Sequence, residues 1–193
     1  MGFTAEPAGM EGEERQAEYR RRNPGEAELP VAERRALLFP KLFGDVAAPA
    51  MLPGLSKAAA GFAPAVLIHD PGEFASAIVA GRLGVPHVTH GFGALTPSSL
   101  IHATSEEVAP LWESAGLSPR PYGGTYDYLY LDIFPPALRS DSVEHVPRYR
   151  RCVPSLRTPT GARSFRSACV TCPARSCTSP SARSSIPRPY SLR

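Results

Sequence analysis

The hydrophobic pattern of the chain is clearest between residues 64 and 91. Residues 65–68 (AVLI) form a continuous apolar run, which predicts a strand buried on both faces of a sheet. Residues 73–83 (EFASAIVAGRL) have apolar positions at helical spacing, and Gly84 follows where a glycine commonly ends a helix. Residues 85–89 (VPHVT) predict the next strand. This order predicts a βαβ unit with a right-handed crossover, and therefore an open parallel α/β sheet with helices.

Two helices are predicted before this unit. Residues 11–22 (EGEERQAEYRRR) have acids first and arginines last, which complements a helix dipole and predicts a solvated helix without a function of its own. Residues 30–41 have apolar positions at helical spacing and predict a second helix. Proline then recurs at Pro40, Pro49 and Pro53, which predicts that the following apolar segment is divided into short helices.

Two further elements are predicted after the βαβ unit. Ser105 is followed by two glutamates, a pattern typical of a helix N-terminus, and this helix is expected to continue to Gly116. Residues 128–133 (YLYLDI) predict a strand that ends before two prolines. Beyond them the pattern fades towards Arg150.

Charge divides the chain more sharply than its net charge of +3 suggests. Residues 1–150 contain 13 Lys and Arg against 18 Asp and Glu, a net charge of −5, whereas residues 151–193 contain eight Arg and no acid, a net charge of +8. All four cysteines lie in the second part, which has no useful apolar period. We therefore predict a partial domain over 1–150 and a disordered Arg/Ser/Pro/Cys-rich tail over 151–193.

Three interpretations of the tail remain open. Its arginines would attract phosphate, as in a nucleic-acid-binding arm, although aromatic side chains for base stacking are few. Cys152, Cys169, Cys172 and Cys177 include one C-x-x-C pair, but their overall spacing matches no zinc finger. We favour the third, a stretch of GC-rich DNA translated in a shifted frame, which the nucleotide sequence would test. We accordingly predict neither a metal site nor a nucleic-acid partner.

The chain also lacks the patterns of membrane and exported proteins. No apolar run approaches the ~18–20 residues of a membrane span, and Met1 is not followed by a signal-peptide pattern. We therefore expect a cytoplasmic protein that has no membrane partner.

Asp70 is the strongest candidate for chemistry in the sequence. It follows the 65–68 run directly, and ligands of open α/β sheets bind outside the carboxyl ends of the strands. The alternative is local, because Asp before Pro-Gly commonly closes a turn. The second predicted strand leads to His90, Gly91 and Phe92, which we expect to bind substrate at the same site. The GFG phrase is not a dinucleotide loop, and no P-loop, G-x-S-x-G or H-E-x-x-H motif is present, so no cofactor is predicted.

Three segments together carry a resemblance to a known family: FPKLFGDVAAPAMLPGL, PAVLIHDPGEFASAIVAGRLGVPHVTHGFG and YLDIFPPAL. They resemble the N-terminal half of bacterial natural-product glycosyltransferases, the macrolide- and antibiotic-type members of the UDP-glycosyltransferase-like family with the GT-B fold. The resemblance covers roughly residues 2–139. It implies an acceptor-binding Rossmann-like domain, with a nucleotide sugar and a small hydrophobic acceptor as substrates.

The resemblance also implies a mechanism, an inverting hexosyl transfer. In that family a histidine of the first βα loop deprotonates the acceptor hydroxyl, and a later aspartate orients that histidine. Asp70 matches this aspartate. The histidine loop would lie upstream of Met1, and nothing after residue 150 matches the donor-binding domain. We therefore expect a glycosyltransferase-like fragment that is inactive alone. The alternative is a non-catalytic acceptor-binding module, alone or beside a complementing chain.

Overall fold

The computed structural model describes residues 3–139 and 142–152, and in them a parallel sheet of four strands. The strands are β1 (Leu67–His69), β2 (His87–Gly91), β3 (Leu129–Asp132) and β4 (Tyr149–Arg151), and they lie side by side in chain order. All three neighbouring pairs are parallel. The predicted α/β class with an open parallel sheet is therefore confirmed. The predicted disordered tail lies outside the described residues from residue 153 onwards.

The predicted βαβ unit is present. Helix α4 (Ala75–Leu83) connects β1 to β2, and Gly84 ends it in the left-handed region, at φ 67°. The Glu73 side chain begins it, because its carboxylate oxygens accept the N–H groups of Ala75 (2.7 Å) and Ser76 (3.0 Å). Free N–H groups in the first turn of a helix are commonly satisfied in this way. Helix α4 is therefore stabilised at both of its ends.

The expectation that β1 is buried on both faces is wrong. The strand begins at Leu67 and lies at the edge of the sheet, with Val66 42% and Ile68 67% exposed. Alternate side chains point to opposite faces, and the face that carries His69 and Tyr130 is the buried one. Its core is shared with α4 and with α5 (Ser98–Ser114). The sequence shows that this run is apolar, but not that helices cover one of its faces only.

The segment rich in proline forms a continuous helical path instead of short helices. After α1 (Gly12–Arg22) and a 3₁₀ turn at Glu26–Glu28, the chain is helical from Val31 to Phe62. It passes from α2 (Val31–Phe39) through a π-helical segment (Pro40–Ala47) into α3 (Ala48–Phe62). Pro40 opens the π-helical segment, where the wider i→i+5 turn displaces the carbonyl that a proline ring would otherwise meet. Pro53 lies inside α3 without ending it.

Helix α5 crosses the π-helical segment closely at Gly44. A Cβ atom at Gly44 would lie 2.8 Å from Glu107 Cβ and 2.9 Å from Thr104 Cγ2, so only glycine fits this crossing without movement. Lys41 pairs with Glu107 at 2.9 Å beside it. Helix α5 begins at Ser98, seven residues before the predicted start. Ser105 is internal, and its hydroxyl donates to His102 O (2.6 Å), a bond that a helix interior allows.

The remaining elements complete the sheet. A 3₁₀ turn at Pro121–Gly124 precedes β3, and another at Pro136–Leu138 follows it. Strand β3 agrees with the strand predicted over 128–133, whereas β4 was not predicted, because its sequence, YRR, has no apolar pattern. None of the helices in the described part of the chain is long and apolar enough to cross a membrane.

Candidate functional site

The predicted site residues lie at the carboxyl edge of the sheet, but they do not form one cluster. Asp70 follows β1, and His90 and Gly91 end β2. Since His69 pairs with Thr89, Asp70 is level with His90 on the neighbouring strand. His90 is half-buried on the face opposite the helices, and Phe92 is 72% exposed. Neither is hydrogen bonded to Asp70 within the described residues, so their acceptor role stays a prediction.

Gly91 has a spatial requirement of its own at this edge. A Cβ atom there would lie 2.6 Å from the hydroxyl of Tyr130 on β3. Tyr130 is 1% exposed and belongs to the core, so it cannot move aside cheaply. The glycine therefore serves the close packing of β2 on β3, which is separate from the acceptor contact expected from the sequence.

Asp70 is exposed and stabilises the loop after β1. Its Oδ1 accepts the N–H of Gly72 at 2.7 Å, and its main-chain carbonyl accepts the N–H of Glu73 at 3.2 Å. This is the local turn role that the Asp-Pro-Gly sequence suggested. The second oxygen, Oδ2, has no hydrogen-bond partner among the described residues. One carboxylate thus both closes the turn and leaves an acceptor free at the end of a parallel strand.

A cavity of about 90 Å³ lies beside Asp70. It is enclosed by α1, the π-helical segment, α3 and the loop between β1 and α4. Its polar groups come from Arg15, Asp70 and Glu73, and its apolar and small residues are Phe43, Ala47, Ala48, Met51, Gly72 and Phe74. Small-molecule sites commonly have apolar walls with a few convergent polar groups, but with volumes of about 300–1,000 Å³ they are larger than this cavity.

The charged groups of this cavity differ in whether their polar atoms have hydrogen-bond partners. Both oxygens of Glu73 accept N–H groups of α4. The guanidinium carbon of Arg15 lies 5.8 Å from the centre of the Phe43 ring, a cation–π contact, yet its Nε is buried and has no hydrogen-bond partner within the described residues. Arg15 and Asp70 line the same cavity without forming an ion pair. A ligand that occupied the cavity would therefore meet one unused acceptor and one unused donor.

A second polar group lies inside the sheet, behind Asp70. His69 (7% exposed), His87 and Thr89 (both fully buried) share the helix-covered face. His69 Nδ1 is 2.9 Å from the carbonyl of Asp70, and its Nε2 is 3.0 Å from His87 Nδ1. The Thr89 hydroxyl donates to Thr125 O at 2.6 Å.

The hydrogen bonds fix the tautomers of both rings. A carbonyl only accepts, so His69 must donate its Nδ1–H to Asp70 O, and the Nε2 that faces His87 is the acceptor of that tautomer. His87 Nδ1–H must donate to that Nε2, which leaves His87 Nε2 a buried acceptor without a partner in the described structure. Burial, with a second contribution from the neighbouring His69, lowers the pKa of His87 to about 3. His87 is therefore neutral, and it serves the interior rather than proton transfer to a ligand.

Asp132 forms the third polar group, at the end of β3. Its Oδ1 accepts the N–H of Phe134 at 2.8 Å, and its Oδ2 accepts from the Arg139 guanidinium and the Tyr149 hydroxyl. The Arg139 guanidinium carbon lies 5.1 Å from the centre of the Tyr149 ring. Asp132 is only 3% exposed, and both of its oxygens are in use. It therefore ties β3 to β4 and has no acceptor left for a substrate.

Sequence reasoning missed three of these features: the hydrogen bond between His69 and His87, the Asp132 cluster and Arg15. The contact between His69 and His87 was predictable. His87 and Thr89 share one face of β2 because side chains alternate along a strand, and parallel pairing places His69 beside them. Arg15 had no such signal, since it is far from Asp70 in sequence and belongs to a helix that looks wholly solvated. Within residues 3–139 and 142–152, no three His, Cys, Asp or Glu side chains converge in a way that would hold a metal ion.

Comparison with known proteins finds similarity in solved structures only. Neither the protein-family models nor the curated proteins give a match to the sequence. Among solved structures, the chain is similar to the glycosyltransferase SnogD from Streptomyces nogalater (TM-score 0.48, 21% identity), over 61% of this chain and 32% of that one. It is also similar to the Streptomyces sp. SF2575 glycosyltransferase SsfS6 (TM-score 0.44, 22% identity), over 56% of this chain and 28% of that one.

A third match is the spinosyn rhamnosyltransferase SpnG, with a TM-score of 0.44 and 22% identity, over 72% of this chain and 33% of that one. The matched part of this chain thus spans about a third of the length of each of these enzymes. The structures to which the chain is similar are bacterial natural-product glycosyltransferases, and the similarity covers only part of the chain.

Proposed function

We propose that this chain forms the acceptor-binding side of a glycosyltransferase. The reaction would transfer a hexosyl group from a nucleoside diphosphate sugar to a hydroxyl of a small hydrophobic acceptor, with inversion. The observation that carries the proposal is the free Oδ2 of Asp70 beside a cavity with apolar walls, at the carboxyl end of a parallel strand. The sequence resemblance, in which Asp70 matches the family's orienting aspartate, supports the same assignment.

The same geometry supports binding without transfer by this chain alone. A hydroxyl becomes a strong nucleophile when a neighbouring base removes its proton, and loss of such a base lowers rates by about 10²–10⁴. Within the described residues no histidine ring is hydrogen bonded to the Asp70 carboxylate. His69 is the nearest in sequence, but its Nδ1 is bonded to the main-chain carbonyl and its Nε2 faces His87. We propose that a complementing chain supplies the base and the nucleotide-sugar site.

The experiment measures binding of a neutral phenol, methyl 4-hydroxybenzoate, to the whole chain by calorimetry. In Asp70→Asn the amide oxygen still accepts the Gly72 N–H, so the loop is retained, while the free acceptor becomes a donor. Loss of a hydrogen bond to a charged group is worth about tenfold or more in affinity. We expect Asp70→Asn to weaken binding by about that factor, and the exposed control Glu33→Gln to leave it unchanged.

Equal binding by the wild type and Asp70→Asn, or no binding by either, would contradict the proposal. A separate assay with a nucleoside diphosphate hexose tests whether this chain alone transfers the sugar. Glycosylated phenol formed by the purified chain would show that the chain carries a base and a donor site of its own. Binding without product is the expected result.

A further inference from the structure

The cavity beside Asp70 contains a positive group that the proposed transfer to a neutral hydroxyl does not use. Arg15 reaches it from α1, a helix whose other arginines are engaged elsewhere or exposed. Arg21 and Arg22 both pair with Glu18, and Arg20 is exposed. Arg15 is half-buried and has no ion pair among the described residues, although Glu13 and Glu14 precede it on the same helix. Its guanidinium lies over the ring of Phe43, and both residues line the cavity.

The buried Nε of Arg15 has an energetic consequence. A guanidinium N–H that has lost water and gained no acceptor is unfavourable, and the ring of Phe43 compensates only part of that loss. Protein acceptors within the cavity do not meet it: Glu73 is occupied by α4, and Asp70 forms no ion pair with Arg15. An oxygen of a ligand is the group that would satisfy it.

We propose that the acceptor bound here is a hydroxy acid, whose carboxylate is held by Arg15 while its hydroxyl donates to Asp70. This inference rests on the function proposed above and specifies its substrate class. Arginine is suited to the task, because its planar fork matches a carboxylate and its charge persists at every pH of interest. Arg15 and Asp70 are oppositely charged groups of one cavity, and the carboxylate of Glu73, which also lines it, is hydrogen bonded to α4. A ligand with one donor and one anion would therefore be bound in one orientation, with its hydroxyl at Asp70, which is exposed.

The test compares two probes that differ only in charge, 4-hydroxybenzoate and methyl 4-hydroxybenzoate, at pH 7 on the whole chain. The cavity is small, so a single-ring acid tests recognition without requiring a larger acceptor to fit. We expect the wild type to bind the acid at least tenfold more tightly than the ester, the size typical of a charge-assisted hydrogen bond. Raising the salt concentration should reduce this preference.

Arg15→Gln should abolish the preference by weakening the acid alone, with the ester unaffected. Arg15→Lys keeps a positive charge and an apolar stem, and should retain part of the preference, which guards against loss of folding in the glutamine variant. The matched control is Arg20→Gln on the same helix, which should behave as the wild type. Circular dichroism confirms that each variant is folded.

Two results would overturn the inference. Equal affinity of the wild type for acid and ester would show that no cation recognises the ligand. An equal loss for both probes in Arg15→Gln would show that Arg15 only shapes the cavity wall. In either case the effect of Asp70→Asn on the ester still decides the proposed function, so the two failures are distinguishable.

Discussion

The two faces of the sheet differ in how far their side chains are exposed to solvent. On one face, side chains such as Tyr130 and Thr89 are fully buried under α4 and α5. On the other, Ile68 is 67% and Val66 42% exposed, although both are as apolar as any core residue. Parallel sheets are normally covered on both faces. In the described part of the chain, the packing that stabilises the fold therefore comes from one side of the same strands.

The polar groups show the same asymmetry. The histidine pair and Asp132 lie on the covered face. The low dielectric there strengthens each hydrogen bond and makes an unpaired polar group unfavourable. Asp70 directly follows the last residue of β1, so its side chain belongs to neither face of the sheet. The ligand contact that we propose lies there, whereas the polar groups within the sheet serve packing.

The largest expected effect comes from removing the centre of the covered face. Trp112 is fully buried in α5, and its ring is the neighbour that a Cβ atom at Gly124 would approach to 2.7 Å. Trp112→Ala should lower the free energy of unfolding by about 3–5 kcal/mol, as large aromatic truncations in cores do. Urea unfolding followed by circular dichroism measures this loss. Phe92→Ala, at a 72% exposed position, is the control and should change it by less than about 0.5 kcal/mol.

An intermediate loss of stability is expected when the pH is lowered, because His87 of the histidine pair is buried. The pKa of His87 is lowered from its ordinary value of 6.5 to about 3, so below pH 6.5 the unfolded chain takes up a proton that the folded chain does not. The stability that depends on neutral His87 is complete above pH 6.5 and is lost as the pH falls. The slope is about 1.4 kcal/mol per pH unit, or about 2 kcal/mol lost at pH 5.

Urea unfolding at several pH values between 7.5 and 5 measures this slope before most carboxylates titrate. His102→Gln removes an exposed histidine and should leave the profile unchanged. A profile that is flat over this range would mean that His87 is accessible to protons in the folded state.

The smallest effect is expected on the open face. Ile68→Thr keeps a β-branched side chain in β1 but removes apolar surface from a position that is two-thirds exposed. We expect the free energy of unfolding to change by less than about 0.5 kcal/mol. A loss above about 2 kcal/mol would show that this face is covered in solution, and the difference between the two faces would disappear.

The sequence predicts the elements of this fold better than it predicts their surroundings. The βαβ unit, the glycine that ends α4 and the position of Asp70 all follow from local pattern, because each depends on neighbours along the chain. The exposure of Ile68 does not, since an apolar run looks the same at the edge and in the centre of a sheet. The uninterrupted helix across Pro53 likewise depends on packing that outweighs a local preference.

The candidate site was predictable in part for the same reason. Asp70 is predictable because a carboxylate directly after an apolar strand is a local signal. The cavity beside it is built by Arg15 of α1 and by Phe43 and Met51 of the helical path from Val31 to Phe62, two segments that are distant from Asp70 in sequence. Arg15 belongs to a charged helix, and nothing in the local sequence distinguishes it from the other arginines there. Such a site appears only when the chain is folded.

The crossing at Gly44 determines where the cavity wall stands. Phe43, its neighbour in the chain, is the ring beneath the Arg15 guanidinium. The backbone at Gly44 leaves no room for a methyl group beside Thr104 and Glu107, so α5 restricts the position of the Phe43 wall. The same ring is close to the loop that carries Asp70, since a Cβ atom at Gly72 would lie 3.2 Å from Phe43 Cδ1. The packing of α5 on the π-helical segment is thus coupled through Phe43 to the Asp70 loop, and a side chain introduced at Gly44 would disturb the cavity without replacing any residue that lines it.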